Sequence, residues 1–346
     1  MDTTANTLSA NATVIASGPK GRPLLGNIPE TRADPLAFFS KVAREYGDVV
    51  RLNLIETVHL LNHPDHVKHV LQDNHLNYEK GFGYARMEPL VGKGLLTSEG
   101  DFWKRQRRLA QPAFHRQRIA GFAELMVRHA QAMFDRWSAH PRGESIDVHA
   151  EMMRLTFGIV GDTLFSMDLL GEAEATGRAL STALEIINDR FQQFFVTPKV
   201  IPTPENLRLY RAIGVLEQMV NGIIEQRRAE PGRHGDLLDM FMEIQDADTG
   251  ERMTDRQLRD EVMTMVLAGH ETTANALSWT WLLLSKHPEV ERKLHDEVAR
   301  VLEGRVPTVA DLPLLEYTMR VIHESMRLYP PAWFTSRKAI HDDVIG

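Results

Sequence analysis

Apolar residues recur at helical spacing over most of the chain. Beyond Pro64 this spacing predicts helices over 64–73, 100–109, 117–139, 148–167, 172–195, 204–228, 235–246, 254–286, 288–303 and 314–328, separated mainly by prolines. Earlier in the chain, a helix is predicted over 35–46. Two short apolar segments, Val49–Leu54 and Thr57–Leu61, follow it and predict a hairpin. The pattern therefore predicts a mainly α fold with a small antiparallel sheet near the N-terminus.

The sequence predicts a tail followed by one domain. Residues 1–18 are rich in Ala, Ser, Thr and Asn and lack the apolar run of a signal peptide, which predicts a disordered tail. No repeat or low-complexity linker divides residues 19–346, so we interpret them as one domain. The last six residues, HDDVIG, have the character of a strand and a turn. We therefore expect the domain to be incomplete at its C-terminus.

Composition narrows the classes of function. Hydrophobic residues make up 43% and charged residues 25% of the chain, as is typical of globular proteins. The formal net charge of −7 argues against a general affinity for nucleic acid. The absence of cysteine excludes disulfides and thiol nucleophiles within these residues, and we identify no metal ligand among them. Because no signal peptide or membrane anchor is recognisable, we expect a cytoplasmic protein.

The longest predicted helix, Thr254–Lys286, is the most informative segment. Thr254 and Gln257 have the spacing of a capping box at its start. Apolar side chains occupy nearly every face between Val262 and Leu284, so we expect this helix to run buried through the fold. A transmembrane span is the alternative, but a carboxylate and several hydrogen-bonding groups at mid-span would be costly in lipid.

The centre of this helix reads Ala-Gly-His-Glu-Thr-Thr over residues 268–273. One interpretation is a kink, in which Gly269 weakens the helix and a threonine bonds back to the preceding turn. A kink leaves Glu271 unexplained, because a buried carboxylate has to be paired, protonated or functional. The other interpretation is a ligand site, where Gly269 admits a planar ligand and Glu271 and Thr272 relay protons to it.

This hexapeptide resembles the central-helix motif of the cytochrome P450 family, the haem-thiolate monooxygenases. The resemblance implies that Gly269 opens a groove over the haem and that Thr272 holds bound oxygen and delivers protons to it. Glu271 would feed the relay. The similarity extends from about Pro19 to the end of the chain and implies the cytochrome P450 fold, because three further segments resemble family motifs.

Glu324-Ser325-Met326-Arg327 resembles the Glu-x-x-Arg motif of the family. The tetrapeptide alone is weak evidence, since it occurs at six other places in the chain and most such pairs are solvated. Its position about fifty residues beyond the Glu-Thr motif and just before Pro330-Pro331 selects this copy. The resemblance implies a structural role, in which the buried pair ties the core beneath the haem to a later segment.

Trp103 and Arg107 resemble the Trp-x-x-x-Arg motif of the family. Residues four apart share a helix face, and an indole N–H beside a guanidinium suits a carboxylate such as a haem propionate. A solvated basic face is the alternative. The remaining cations, Lys104, Arg105 and Arg108, would form a docking patch for an acidic electron donor.

The third segment, Trp333-Phe334-Thr335-Ser336-Arg337, matches the part of the family that passes the haem edge and lines the substrate pocket. Arg337 would contact a propionate, and an exposed strand arginine is the alternative. Aromatic and methionine side chains that could line an apolar pocket, or form plain core, are Phe82, Tyr84, Met87, Phe191, Phe194 and Phe195.

The resemblance implies an enzyme with haem b (iron-protoporphyrin IX) that inserts one oxygen atom from O2 into an apolar small molecule. NAD(P)H would act only indirectly, through a ferredoxin or flavodoxin/reductase-type donor. The cysteine that binds the iron in this family has no counterpart here, so we expect an inactive fragment of a longer parent protein. Two alternatives stay open: a non-catalytic helical protein that binds haem or an apolar ligand, and a purely structural scaffold.

Overall fold

The computed structural model describes residues 15–54, 56–169, 173–191, 198, 201–229, 235–243, 250 and 252–346, except for the side chains of residues 113, 116–118, 173, 174 and 191. The described residues fall into two compact units. One is drawn from Met1–Glu79, Asp189–Val196 and Arg337–Gly346, and the other from Lys80–Asn188 and Thr197–Ser336.

The first unit contains most of the β structure. Its elements are α1 (Ile28–Ala33), α2 (Pro35–Tyr46), β1 (Val49–Asn53), β2 (Thr57–Leu61), α3 (Pro64–Lys68), β3 (Tyr78–Lys80) and β4 (Arg337–Ala339). The Asp34 carboxylate caps α2 by accepting a 2.9 Å hydrogen bond from the Ala37 amide. Strands β1 and β2 form the predicted antiparallel hairpin, and β3 pairs with β4 in a second two-stranded sheet.

The second unit is helical. Its helices are α4 (Glu88–Val91), α5 (Gly100–Ala110), α6 (Arg116–Gly121), α7 (Ala123–Ala139), α8 (Val148–Phe165), α9 (Ala173–Phe191), α10 (Pro204–Ala229), α11 (Leu237–Glu243), α12 (Asp255–Lys286), α13 (Pro288–Leu302) and α14 (Glu316–Leu328). The mainly α fold with a small antiparallel sheet is thus confirmed. None of the helices in the described ranges has the length and apolarity needed to cross a membrane.

Helix α12 is the central element of the second unit. The predicted capping box is present at its start: the Gln257 amide donates to Thr254 Oγ1 at 3.3 Å, and the Thr254 amide donates to Gln257 Oε1 at 2.7 Å. Its N-terminal half is buried, with Leu258, Val262 and Val266 at most 2% exposed. Helix α8 packs along it, and both contribute to the main hydrophobic core. The C-terminal half is more exposed, and its exposed residues begin at Ala268.

A buried ion cluster joins three helices of this unit. The Arg227 guanidinium on α10 donates to Asp236 and to Asp239 at 2.5–2.7 Å, and to the carbonyl of Phe165 at the end of α8. The three charged side chains are at most 4% exposed. Because each charge is paired and hydrogen-bonded, the cluster tolerates burial and fixes the ends of α8, α10 and α11 together.

Two predicted elements differ from the structure. The helix predicted over 117–139 is interrupted at Phe122, directly after Gly121. The C-terminal strand lies at Arg337–Ala339, before the HDDVIG segment rather than within it. The Ser17 carbonyl accepts a 2.9 Å hydrogen bond from the Arg51 amide of β1, so contacts with the first sheet begin before Pro19. Phe194 and Phe195, predicted to lie in a helix, are outside the described residues.

Candidate functional site

The exposed face of α12 carries small side chains at its centre. Ala268 and Thr272 are both exposed and lie one turn apart, and Ala276 continues the line half-buried. Three residues before Ala268, Met265 is only 9% exposed. The exposed face therefore begins at the motif and offers a shallow, nearly apolar surface with a hydroxyl at its middle.

The Thr272 hydroxyl is oriented by the helix itself. Its Oγ1 donates a 2.7 Å hydrogen bond to the Ala268 carbonyl in the preceding turn. The hydroxyl proton is therefore occupied, while the oxygen lone pairs can accept a hydrogen bond from a group on the exposed face. The bond to the carbonyl is the one predicted for a kink, and it coexists with an exposed hydroxyl suited to proton transfer.

Gly269 lies on a different side of α12 from the one we expected. A Cβ added to Gly269 would lie 3.0 Å from Val160 Cγ2 on α8, so the missing side chain allows close packing of the two helices. Ala268, rather than Gly269, shares the exposed face with Thr272. A helical rotation of about 100° per residue explains why adjacent residues face differently.

Glu271 lies between the buried and exposed sides of α12. Its side chain is largely removed from solvent, and this burial raises the pKa of the carboxyl, while the charge of His149 acts in the opposite direction. His149 lies in the first turn of α8 and is exposed. Its Nε2 is 3.2 Å from Oδ1 of Asn275, which lies one turn beyond Glu271 on α12. A carboxyl with a raised pKa, one residue before Thr272, is suited to hold and release a proton.

His270, at the centre of the motif, is a buried packing residue. It is 3% exposed, and its ring lies edge-on to Phe157 of α8 with 5.2 Å between centroids. Burial lowers the pKa of the imidazole to about 4, although a hydrogen bond to the Met153 backbone favours the charged form. Nδ1 has no hydrogen-bond partner. The neutral ring therefore holds α12 against α8, a role that the sequence did not predict.

Trp103 and Arg107 share one face of α5, as predicted. The Arg107 guanidinium lies 5.3 Å from the centroid of the indole ring, and Lys80 Nζ lies 5.5 Å from the same centroid. Lys80 also donates to the carbonyls of Leu95 and Ser98. Two cations therefore flank an indole whose N–H is a donor, which is a donor set suited to a carboxylate.

Two acids at the start of α12 connect this helix to α5, and the sequence did not single them out. Glu261 Oε1 accepts from Gln106 Nε2 of α5 at 3.1 Å, and Oε2 accepts from the Leu95 amide at 3.0 Å. Asp260 Oδ2 accepts from the Lys93 amide at 2.8 Å. Because Gln106 adjoins Arg107, and Glu261 lies about two turns before Ala268, these bonds hold α5 against the same helix that carries the exposed face.

The Glu324–Arg327 pair is formed but exposed. Arg327 donates two 2.7 Å hydrogen bonds to the Glu324 carboxylate, and the two side chains are 67% and 56% exposed. These bonds lower the pKa of Glu324. The burial expected for this pair is not observed, because no described residue covers that face of α14. The intervening Ser325 is 2% exposed and accepts from Thr280 Oγ1 of α12 at 2.9 Å.

The aromatic segments expected to line a pocket lie together in the second unit. The Gly81 amide donates to the Ser336 carbonyl at 3.1 Å, and the hydroxyls of Tyr84 and Thr335 are 3.0 Å apart. Phe82, Trp333 and Phe334 are exposed by 42%, 47% and 56%. Met87 packs against the main core, as its alternative interpretation predicts. The side chain of Phe191 is outside the description, as are Phe194 and Phe195.

Arg337 belongs to the first compact unit, where it is the exposed first residue of β4. The other proposed ligands of the cofactor lie in the second unit. The structure therefore brings together Trp103 with Arg107 and Glu324 with Arg327, whereas Glu271 and Thr272 are adjacent residues that point about 100° apart on α12.

The residues of the second unit fit a haem. A planar ring needs an apolar face without bulky side chains, which Ala268 and Thr272 provide on α12. Its propionates need cations and N–H donors, which Arg107 and Trp103 provide on α5. An iron ligand of the thiolate type is not among these 346 residues, because they contain no cysteine.

Comparison with known proteins agrees with this chemistry. The family model described as Cytochrome P450 matches residues 16–346. Cyclooctatin synthase of Streptomyces melanosporofaciens is 38% identical over 334 residues, which are 95% of this chain and 71% of that protein. Cyclooctat-9-en-7-ol 5-monooxygenase of the same species is 35% identical, with coverage of 95% and 71%. Pentalenene oxygenase of Streptomyces avermitilis is 33% identical, with coverage of 98% and 75%. The chain belongs to the cytochrome P450 family of haem-dependent monooxygenases, as its motifs predicted.

Proposed function

We propose that this chain carries the haem-binding and proton-relay part of a monooxygenase that inserts one oxygen atom from O2 into a cyclic terpenoid. The observation that carries the proposal is the arrangement on α12: the half-buried Glu271, with its raised pKa, adjoins an exposed hydroxyl on an open apolar face. An acid and an alcohol at this position favour a reaction that consumes protons beside a bound planar cofactor.

The bound haem b supplies oxygen activation, and the protein supplies orientation, proton delivery and exclusion of water. Trp103 and Arg107 would hold its propionates through the indole N–H and the guanidinium. Thr272 would accept a hydrogen bond at Oγ1 from a group on the exposed face while donating to the Ala268 carbonyl. Glu271, whose pKa is raised by burial, would pass a proton toward that hydroxyl and then take up another.

Electrons would arrive from a separate protein at the basic face of α5. Arg105 and Arg108 lie within two residues of Arg107 on α5, and Lys104 pairs with Asp101 at 3.1 Å. Opposite charges speed the encounter of two proteins more than they strengthen the complex. We therefore propose a ferredoxin or a flavodoxin/reductase-type donor with an acidic surface, and NAD(P)H would contribute only through that donor.

The names of the relatives suggest the substrate class. They refer to pentalenene and to cyclooctat-9-en-7-ol, which are bulky ring systems with few polar groups. Phe82, Trp333 and Phe334 offer exposed aromatic surface for such a molecule. Because apolar surface binds apolar ligands with little directional preference, these side chains support a substrate class rather than one compound.

The test is an absorption spectrum of the reduced, haem-loaded protein with carbon monoxide, taken on the product of the whole gene. The proposal expects the band position specific to a thiolate ligand, and oxygenated product when a cyclic terpene and an electron donor are supplied. A band typical of a histidine ligand without product would support a haem-binding protein that does no oxygenation. Absence of bound haem would contradict the proposal.

A further inference from the structure

The antiparallel contact between α8 and α12 places one exposed histidine beside the proton relay. Along α12, Gly269 faces Val160, the His270 ring contacts Phe157, and Asn275 contacts His149. Residue numbers therefore fall along α8 as they rise along α12. Glu271 and Asn275 lie one turn apart on one face of α12, so the histidine that contacts Asn275 is about one turn along α12 from Glu271.

Two acids at this end of α8 already have partners. Asp147 accepts the Ala150 amide as the cap of α8. Glu151 accepts from Arg136 at 2.9 Å and from the Trp137 indole at 3.1 Å, both on α7. On α12, the neighbouring His270 is buried with a depressed pKa and is held by the Met153 backbone. Among the residues that the structure describes, His149 combines exposure to solvent with an electrostatic effect on Glu271.

We propose that His149 is the residue through which protons from solvent reach Glu271, and that Asn275 positions its ring. This inference rests on the proposed function of Glu271 and Thr272. The bond to Asn275 Oδ1 selects the neutral tautomer in which Nε2 carries the hydrogen. In this tautomer Nδ1 has a free lone pair. Nδ1 takes a proton from water, and the imidazolium then passes that proton to the Glu271 carboxylate. One proton moves from water to Glu271, and His149 returns to its neutral form.

The first test measures the pKa of Glu271 by carbon-13 NMR in chains labelled at glutamate side chains, with the signal assigned by its loss in Glu271→Gln. Removing the charge in His149→Gln should raise the pKa of Glu271 by about half a unit, as expected for a partly exposed charge pair. His149→Lys should restore the wild-type value. His129→Gln is the control, since His129 pairs with Asp162 at 2.6 Å elsewhere on α7 and α8 and should leave Glu271 unchanged.

The second test separates charge from proton transfer in the haem-loaded enzyme. We expect His149→Gln and His149→Lys each to lower product formation about tenfold, because glutamine does not titrate and lysine binds its proton too tightly near pH 7. Asn275→Ala should give a smaller loss. An unchanged Glu271 pKa in His149→Gln would overturn the proposal, and so would wild-type product formation in His149→Lys. A wild-type enzyme without oxygenated product would instead overturn the proposed function, whatever the Glu271 pKa does.

Discussion

Three consecutive residues of α12 occupy three different environments. His270 is buried against α8, Glu271 is half-buried, and Thr272 is exposed on the opposite side. Because neighbouring helical residues point about 100° apart, one tripeptide can serve packing, proton storage and ligand contact. The sequence singles out Glu271 and Thr272 as candidates by their residue types. The environments of these three residues could not be predicted, because their exposure depends on how α8 packs against α12. No local sequence pattern gives that alignment.

His270 should make the fold sensitive to acid. Its pKa is lowered to about 4 in the folded chain and returns to about 6.5 on unfolding, so the unfolded state binds more protons as the pH falls. Between pH 7 and 4 this difference should remove about 3 kcal/mol of unfolding free energy. His270→Leu should not show this pH-dependent loss of unfolding free energy. Urea unfolding at several pH values measures it.

A matched control is His295→Gln, which changes an exposed histidine of α13. The wild-type and His295→Gln curves should have the same pH dependence. If His270→Leu loses stability in acid as steeply as the wild type does, the buried neutral imidazole is not the source of the effect.

At the scale of elements, the segment before α5 is held on α12 by buried carboxylates and by glycines that let the two backbones approach. A Cβ at Gly92, which has a φ of +61°, would overlap the Asp260 carboxylate, and one at Gly94 would overlap the Thr264 hydroxyl. Burial raises the pKa of Glu261, but hydrogen bonds from Leu95 and Gln106 favour its charged form. The carboxylates bind this segment and α5 to the same end of α12.

Gly92→Ala should therefore be strongly destabilising. We expect a loss of roughly 2 to 4 kcal/mol, from the left-handed backbone conformation and from displacement of a buried carboxylate. The control is Gly222→Ala in the exposed face of α10, where a Cβ meets nothing within 4 Å. That change should stabilise the chain by about 0.5–1 kcal/mol, because alanine favours helices. Equal effects of the two substitutions on chemical denaturation would contradict the close approach.

The ion cluster of α10 allows a comparison between adjacent arginines. Arg227→Met leaves two buried carboxylates without their cation and should cost about 3 to 5 kcal/mol. Arg228→Met removes an exposed partner of Asp255, with side chains 47% and 75% exposed, and should cost less than about 1 kcal/mol. Thermal unfolding of both variants checks the order. A small loss in Arg227→Met would show that the cluster is not needed for stability.

Element boundaries could be predicted where local chemistry sets them. Local signals mark the starts of four helices: a capping box for α12, and prolines for α2, α10 and α13. These helices begin within one residue of their predicted starts. Gly121 was the available signal for the break between α6 and α7. The pairing of β3 with β4 could not be found locally, because these strands are more than 250 residues apart in the chain.

At the scale of the whole molecule, one carboxylate connects distant parts of the chain within the first unit. Asp343 Oδ2 accepts from Tyr78 at 2.5 Å and from Asn74 at 3.0 Å, and lies 2.8 Å from His69 Nε2. These bonds, with that from Tyr78 the strongest, lower the pKa of Asp343 to about 2. The order of the motifs along the chain predicted the family. The contacts of Asp343 could not be predicted in the same way, because its partners are far from it in the sequence.

Asp343→Asn should loosen this connection. The depressed pKa of Asp343 means that its charged form stabilises the fold above pH 3.8, and this contribution is lost as the pH falls through about 2. Removing the charge should lower the free energy of unfolding by about 1 to 2 kcal/mol at pH 7. Hydrogen exchange at the Ile340 amide, which donates to the Asn77 carbonyl at 2.8 Å, reports the local effect. Asp342→Asn is the control. Equal protection of Ile340 in both variants would contradict the role of Asp343.

The central claim is that the acid and the alcohol on α12 deliver protons for oxygen insertion. Its most direct measurement is the ratio of oxygenated product to electrons consumed in the haem-loaded enzyme, for Thr272→Ala and for Thr273→Ala, which removes the neighbouring hydroxyl. We expect Thr272→Ala to lower this ratio at least about tenfold with release of hydrogen peroxide, and Thr273→Ala to keep it. Thr272→Ser should recover most of the product. Tight coupling of electrons to product in Thr272→Ala would contradict the account.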